Sequence, residues 1–150
     1  MKYIILIIGL LISAASNAQD WETIRRHYPL AVGDKKICQK HIIDLGENPK
    51  SALQLGYLGA YQTIWANHVF NPIAKWSTFK KGKNNLENAI QMDADNIELR
   101  WLRLSIQSNI PGFLNYNDHI KEDKYFIKVN HKRIKSAYIQ QQIRDSHILD

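Results

Sequence analysis

Two arginines and a glutamine form the pattern in this sequence that is best suited to holding an anion. Arg100, Arg103 and Gln107 are spaced three and four residues apart, so on a helix they share one face. Two guanidinium groups at this spacing could bind a carboxylate or a phosphate through paired hydrogen bonds. Tyr116 follows them in the chain. These four residues are the predicted binding site.

The same arginines have a structural alternative, because they lie between two apolar stripes of their helix. In that case they would pair with acidic residues of adjacent helices, and the candidates are Asp93, Asp118 and Asp123. Arg100→Met separates the two hypotheses. Lost folding would indicate a structural pair, whereas intact folding with lost binding would indicate a site.

Motifs of familiar catalytic and cofactor sites do not occur in the sequence. It has no Gly-x-Ser-x-Gly, His-Glu-x-x-His, phosphate-loop or Cys-x-x-Cys pattern. None of the six histidines has another histidine four residues later, which is the spacing of a helical metal-ligand pair. Asp118, His119 and Glu122 come closest, and we interpret them as a solvated helix start. We predict no catalytic, metal-binding or cofactor-binding residues, and the sequence favours a protein that is not an enzyme.

Clusters of basic residues suggest a second possible binding function, which is contact with an acidic partner. The chain has a formal net charge of +6, which favours acidic partners. The clusters are Arg25-Arg26-His27, Lys80-Lys81-x-Lys83 and His131-Lys132-Arg133-x-Lys135. They indicate either solvated helix surface or binding of a polyanion or membrane surface. A hydrolase would need two carboxylates across a cleft, and the spacing of Glu87, Glu98 and Glu122 does not provide that pair.

The amino-terminal residues have the three-part pattern of a signal peptide. Lys2 supplies the positive charge, residues 4–12 form the apolar run, and Ser16 with Ala18 match a cleavage site before Gln19. The apolar run is shorter than the roughly 20 residues of a spanning helix. We predict a signal peptide at residues 1–18 and a helical domain at 19–150, periplasmic or secreted, with no transmembrane anchor after cleavage. Export also disfavours nucleic acid as a partner.

Cysteine usage adds two expectations. Cys38 is the sole cysteine, so the chain cannot form an intramolecular disulfide, and no cysteine follows the cleavage point to carry a lipid. We therefore expect a protein that is not a lipoprotein. The apolar neighbours Ile37 and Ile42 indicate that Cys38 is a buried, unreactive thiol.

Apolar residues recur with the helical period along the chain. The predicted helices cover about 21–28, 34–45, 49–67, 72–92, 97–108, 117–128 and 131–145. Asp34 and Gly46 are the expected caps of the second helix, Pro29 is expected to stop the first, and Asp95 with Glu98 predicts a capping box. The region from Gly82 to Asn85 could kink or interrupt the fourth helix.

Two further patterns concern packing. The helix at 97–108 is apolar on opposite sides, which is typical of a helix sandwiched between neighbours. Its stripes are Ile97, Trp101 and Leu104 on one side and Leu99, Leu102 and Ile106 on the other. Gly56 and Gly59 lie inside the third helix, where glycine costs about 1 kcal/mol relative to alanine, so a second backbone is expected to approach there.

The segment Gly82-x3-Leu86-x2-Ala89-x4-Ala94, followed by Asp95-Asn96, resembles the second helix of a tetratricopeptide repeat. The resemblance covers about one repeat and implies antiparallel helix pairs. The segments 98–103 and 111–114 are similar to small exported bacterial helical proteins of unassigned function, which implies no activity. The expected fold is all-α, a single domain of six or seven helices in antiparallel pairs, as a short TPR-like array.

These patterns lead to one functional hypothesis with two alternatives. We predict a non-enzymatic binding or scaffold protein of the bacterial envelope, with a helical groove near Arg100 and Tyr116 that binds an envelope protein or peptide, including an acidic one. The alternatives are a small envelope hydrolase with an unrecognised site and a binder of polyanions or membrane surfaces.

Overall fold

The computed structural model describes residues 20–150, and within this range every regular element is helical. The predicted all-α class is therefore confirmed. The predicted signal peptide at 1–18 lies outside the described residues. The α-helices are α1 (Trp21–Leu30), α2 (Lys35–Leu45), α3 (Ala52–Trp65), α4 (Pro72–Met92), α5 (Ile97–Asn109), α6 (Ile120–Asn130) and α7 (Ala137–Asp145). Short 3-10 turns occur at Ala66–His68, Gly112–Leu114 and His131–Arg133.

Several helix ends follow directly from local sequence chemistry. The Asp34 carboxylate accepts hydrogen bonds from the first free backbone N–H groups of α2, and Asn71 does the same for α4, with Pro72 at its first position. Gly46 ends α2 with φ of 73°, a conformation that favours glycine. These ends agree with the prediction.

Helix α1 continues through Pro29 to Leu30, so the prediction that it stops before the proline is wrong. Pro29 lies in the last turn, where its missing N–H removes a single hydrogen bond. The next backbone bond, from Ala31 N to His27 O at 2.9 Å, still forms. The helix therefore ends just beyond the proline.

The N-cap of α5 is Asn96 and not Asp95, which corrects the predicted capping box. The Asn96 side chain accepts from the backbone N–H groups of Glu98 at 3.1 Å and Leu99 at 3.2 Å. Glu98 consequently takes no part in capping, and its carboxylate points to other helices. A one-residue shift in the cap thus decides what Glu98 contacts.

Three other helices begin later than predicted, two of them because a different residue caps them. Ser51 caps α3 and Ser136 caps α7, whereas the sequence placed these starts near Pro49 and His131. Helix α6 begins at Ile120, after a turn, and not near residue 117.

Helices α3 and α4 form the most extensive helix contact of the described chain, and glycine allows their backbones to approach closely. A Cβ atom added at Gly59 would lie 2.6 Å from the Gly82 carbonyl oxygen. One added at Gly82 would lie 2.6 Å from the Thr63 nitrogen. The predicted backbone approach is confirmed at Gly59, but at Gly56 the nearest atoms belong to the Leu99, Ala89 and Leu86 side chains, so the prediction is wrong there. Helix α4 is also continuous through Gly82, so the predicted break there does not occur.

Two buried clusters lie on opposite sides of α5, as its two apolar stripes predict. The larger cluster includes Leu99, Leu102 and Ile106 together with buried residues of α1 to α4. The smaller one joins Ile97 and Leu104 to α6 and α7. Because α5 is covered on both sides, its polar residues lie between two interior regions. No helix among residues 20–150 is both long and apolar enough to span a membrane.

Candidate functional site

The Arg103 side chain is buried, and carboxylates from two other helices surround it. Its Nε and Nη2 donate to the two carboxylate oxygens of Asp123 on α6, both at 2.7 Å. Its Nη1 donates to Glu87 Oε2 on α4 at 2.9 Å. Asp123 is itself fully buried. This guanidinium therefore connects α4, α5 and α6.

Arg100 extends the same network towards the surface. Its Nη1 donates to Glu122 Oε1 at 2.7 Å and to Asp123 Oδ1 at 3.1 Å, and its Nε donates to the Ala94 carbonyl oxygen. The guanidinium also lies 5.0 Å from the centroid of the Phe126 ring. The hydrogen bond from Arg100 is the main reason that the pKa of the Glu122 carboxyl is below its ordinary value.

Gln107 and Tyr116 are buried members of the same region. The Gln107 amide oxygen accepts from the His119 backbone N–H at 3.2 Å, and its nitrogen lies 3.5 Å from Asp118. The Tyr116 hydroxyl donates to Glu87 Oε1 at 2.5 Å. Burial, followed by the neighbouring Glu87 carboxylate, raises the pKa of Tyr116 well above its ordinary value.

The four residues predicted as a binding site thus occur together, but their polar groups bind partners within the chain. Asp123, one of the candidate partners in the structural alternative, pairs with both Arg100 and Arg103. Asp118 contacts Gln107 instead, and Asp93 accepts a hydrogen bond from Asn96. A ligand at this network would have to displace a buried carboxylate, which is energetically costly.

A groove of about 860 Å³ lies elsewhere on the described chain and runs along another side of α5. Its α5 wall is formed by Trp101, Leu102, Ser105, Ile106 and Asn109. Residues of α1, α3 and α7 also line the groove. The start of α4 and the turn that carries Phe113 contribute as well. Tyr116, Arg100 and Arg103 do not line it.

Two polar contacts join α1 to the neighbouring helices beside this groove. Arg25 donates to both carboxylate oxygens of Glu98, at 2.6 Å and 2.9 Å, and Glu98 also accepts from the Tyr57 hydroxyl at 2.6 Å. The Tyr28 hydroxyl lies 3.3 Å from Ser105 Oγ. These contacts fix the spacing of the walls, and they place the Arg25 charge next to a neutralising carboxylate.

Large apolar side chains of the groove reach the surface. The exposed fractions are 56% for Val32, 47% for Trp76 and 85% for Phe113. None of these residues was predicted as a site residue. Val32 and Phe113 lie in turns, where periodicity carries little information, and Trp76 fits the apolar pattern of α4. Apolar residues in the turns were the available signal.

The charged side chains that line the groove are basic. Among residues 20–150, the charged side chains that line it are Arg25 and Lys75. Arg25 is paired with Glu98, whereas Lys75 has no ion-pair partner among the described residues. The carboxylates considered for hydrolysis, Glu87, Glu98 and Glu122, do not line the groove, and each binds an arginine. The described part of the chain also contains no group of three or more metal-ligating side chains.

A histidine pair joins α1 to α2 behind the groove wall. His27 Nδ1 lies 2.8 Å from His41 Nε2, and the His41 ring stacks on Tyr61 with centroids 4.9 Å apart. His41 is 98% buried, and its Nδ1 has no hydrogen-bond partner among the described residues. Burial, followed by the charge of His27, lowers the pKa of His41 below its ordinary value. Nearby Cys38 is buried, which raises its pKa to about 12.

Comparison of the chain with protein-family models gave no match, and neither the curated proteins nor the solved structures contained a matching protein.

Proposed function

We propose that this chain is a non-enzymatic binding protein of the bacterial envelope, and that its groove binds a peptide segment with apolar side chains and a carboxylate. The observation that supports this most strongly is the 860 Å³ groove, which combines exposed apolar residues with an unpaired lysine. Ligand sites in proteins typically have volumes of about 300–1,000 Å³. The envelope location rests on the signal-peptide pattern of residues 1–18.

The apolar part of the ligand follows from the groove wall. Val32, Trp76 and Phe113 expose apolar surface to water around one concavity. Covering such surface with an apolar ligand is favourable because it removes apolar area from water. Ligand side chains such as Leu, Val or Phe would therefore bind between these residues.

The acidic part of the ligand follows from Lys75. Because Arg25 is neutralised by Glu98, Lys75 gives this groove a net positive charge. Charge complementarity favours a carboxylate at this position and disfavours a basic side chain. The preference should depend on salt concentration, since Lys75 is exposed.

Two amide side chains favour a peptide over an acyl chain. Asn67 and Gln142 line the groove, and their side chains have no hydrogen-bond partner among residues 20–150. A buried peptide must satisfy its N–H and C=O groups, and amides offer both a donor and an acceptor. From Trp101 to Asn109 the α5 wall extends about 12 Å, given about 1.5 Å per residue. That length accommodates about three or four extended residues.

The helix arrangement belongs to the same proposal. We retain the short TPR-like array as a hypothesis, and the close packing of α3 on α4 through Gly59 and Gly82 supports it. Arrays of helix pairs commonly present grooves to peptide segments.

A random peptide library displayed on phage tests the proposed specificity. The immobilised protein should enrich peptides that combine apolar residues with Asp or Glu. Val32→Glu introduces a negative charge into the groove and should abolish this enrichment. Lys75→Glu should instead select peptides that contain Lys or Arg, because it reverses the charge.

Ile43→Glu is the matched control, since Ile43 is exposed on α2 and does not line the groove. It should enrich the same peptides as the unchanged protein. Equal enrichment of these peptides by Val32→Glu would refute the groove as the binding site, and an unchanged preference in Lys75→Glu would refute the role of charge.

A further inference from the structure

The start of α4 exposes apolar side chains that do not belong to the groove. Phe70 is 97% exposed and Ile73 is 81% exposed, and neither residue lines the groove. Phe70 and Ile73 lie three residues apart in the sequence, so both side chains can contact the same apolar surface.

Ile73 shares one face of α4 with a tryptophan and a lysine. Ile73, Trp76 and Lys80 are separated by three and four residues, so they lie along one face of α4. Lys81 follows Lys80, and both lysines are exposed. We define the α4 face as Phe70, Ile73, Trp76, Lys80 and Lys81.

The charged residues in the part of α4 before Glu87 are all lysines. They are Lys75, Lys80, Lys81 and Lys83. Lys83 lies over the Tyr116 ring at 4.5 Å, whereas Lys80 and Lys81 have no ion-pair partner among residues 20–150. The α4 face therefore combines protruding apolar side chains with free positive charge.

We infer that the α4 face docks onto an anionic lipid bilayer. Phe70 and Ile73 would insert below the headgroups, Trp76 would lie at the interface, and Lys80 and Lys81 would contact lipid phosphates. A bilayer fits better than a folded protein partner because the apolar side chains protrude singly from a helix start and form no flat patch. The proposal does not require a ligand in the groove, although Trp76 both belongs to the α4 face and lines the groove.

Binding to lipid vesicles tests this proposal. The experiment uses the exported protein purified from cells, and mass spectrometry determines its amino terminus. The protein should sediment with vesicles that contain phosphatidylglycerol and much less with pure phosphatidylcholine. Brominated phosphatidylglycerol should quench tryptophan fluorescence, because Trp76 would lie at the interface. Binding should weaken as salt rises.

Two paired substitutions separate the apolar and charged contributions. Phe70→Ser with Ile73→Ser should weaken vesicle binding at least about tenfold, since two inserted side chains are lost. Lys80→Gln with Lys81→Gln should weaken it by about fivefold per lysine. Ile43→Ser removes an exposed apolar residue elsewhere and should leave binding unchanged. Thermal melting of each variant checks that the fold is retained.

The proposal is overturned if the unchanged protein does not bind phosphatidylglycerol vesicles. It is also overturned if the folded Phe70→Ser, Ile73→Ser variant binds them as well as the unchanged protein. Equal binding of heparin and vesicles without quenching by brominated lipid would identify a surface for soluble polyanions instead. Peptide selection by the groove is measured separately, so either proposal can fail alone.

Discussion

Arg103 holds Asp123 through two hydrogen bonds of 2.7 Å, and both side chains are removed from solvent. The same guanidinium reaches Glu87 on α4 at 2.9 Å. Because buried charges need partners of opposite sign, this arrangement fixes α6 against α5. The residues that are most suggestive of ligand binding in the sequence thus form an internal connection between helices.

Arg103→Met should destabilise the fold by about 3–5 kcal/mol, because it removes both 2.7 Å hydrogen bonds to the buried Asp123 carboxylate and leaves only the 3.1 Å contact from Arg100. Urea unfolding followed by circular dichroism measures the change in the free energy of unfolding. Adding Asp123→Leu to Arg103→Met should recover part of the loss, since the uncompensated charge is then removed.

Lys40→Met provides the matched control for that experiment. Lys40 and Asp44 form an exposed pair on α2, and such pairs contribute at most about 1 kcal/mol. A loss in Arg103→Met no larger than that in Lys40→Met would contradict the structural role of the buried pair.

Gly82→Ala should cost about 1–3 kcal/mol, because the new methyl group would overlap the backbone of α3. The nearest atoms are the Gly59 carbonyl oxygen and the Thr63 nitrogen, both at 2.6 Å, and neither can move independently of its helix. Gly33→Ala is the control, since a Cβ atom there meets nothing within 4 Å. Thermal melting of both variants tests the contact, and equal melting temperatures would argue against it.

His41 should make the fold sensitive to acid. Its pKa is lowered in the folded state by burial, so the unfolded chain takes up the proton first as pH falls below the ordinary value of 6.5. The stability contributed by neutral His41 is therefore present above pH 6.5 and is lost as pH decreases through the folded-state pKa. His41→Phe, which keeps the stacking on Tyr61, should reduce the loss of stability between about pH 7.5 and pH 5.5.

The exposed His147 offers a comparison, and His147→Asn should retain the pH dependence of the unchanged protein. Melting temperatures across the pH range provide the measurement. If His41→Phe loses as much stability on acidification as His147→Asn, the acid sensitivity has another origin.

Local chemistry explains why much of the fold was predictable. Asp34, Gly46 and Asn71 determine helix ends through contacts within a few residues, and the two stripes of α5 predict its covered position directly. The cap at Asn96 was missed because Asp95 next to it is equally suitable chemically. That single shift altered the expected role of Glu98.

The candidate site was less predictable because its geometry depends on distant residues. Three aspartates were suitable partners for Arg100 and Arg103, and the choice of Asp123 is made by the packing of α6 against α5. The groove combines segments far apart in sequence, such as Val32 and Phe113, and neither belongs to a local motif.

The affinity of one selected peptide for matched variants tests the central claim most directly. An apolar, acidic peptide from the phage selection can be titrated against the protein by isothermal calorimetry. The unchanged protein and Ile43→Glu should bind it with the same Kd, whereas Val32→Glu and Lys75→Glu should bind at least about tenfold more weakly. Equal Kd values for all four folded proteins would contradict the assignment of the groove as the peptide site.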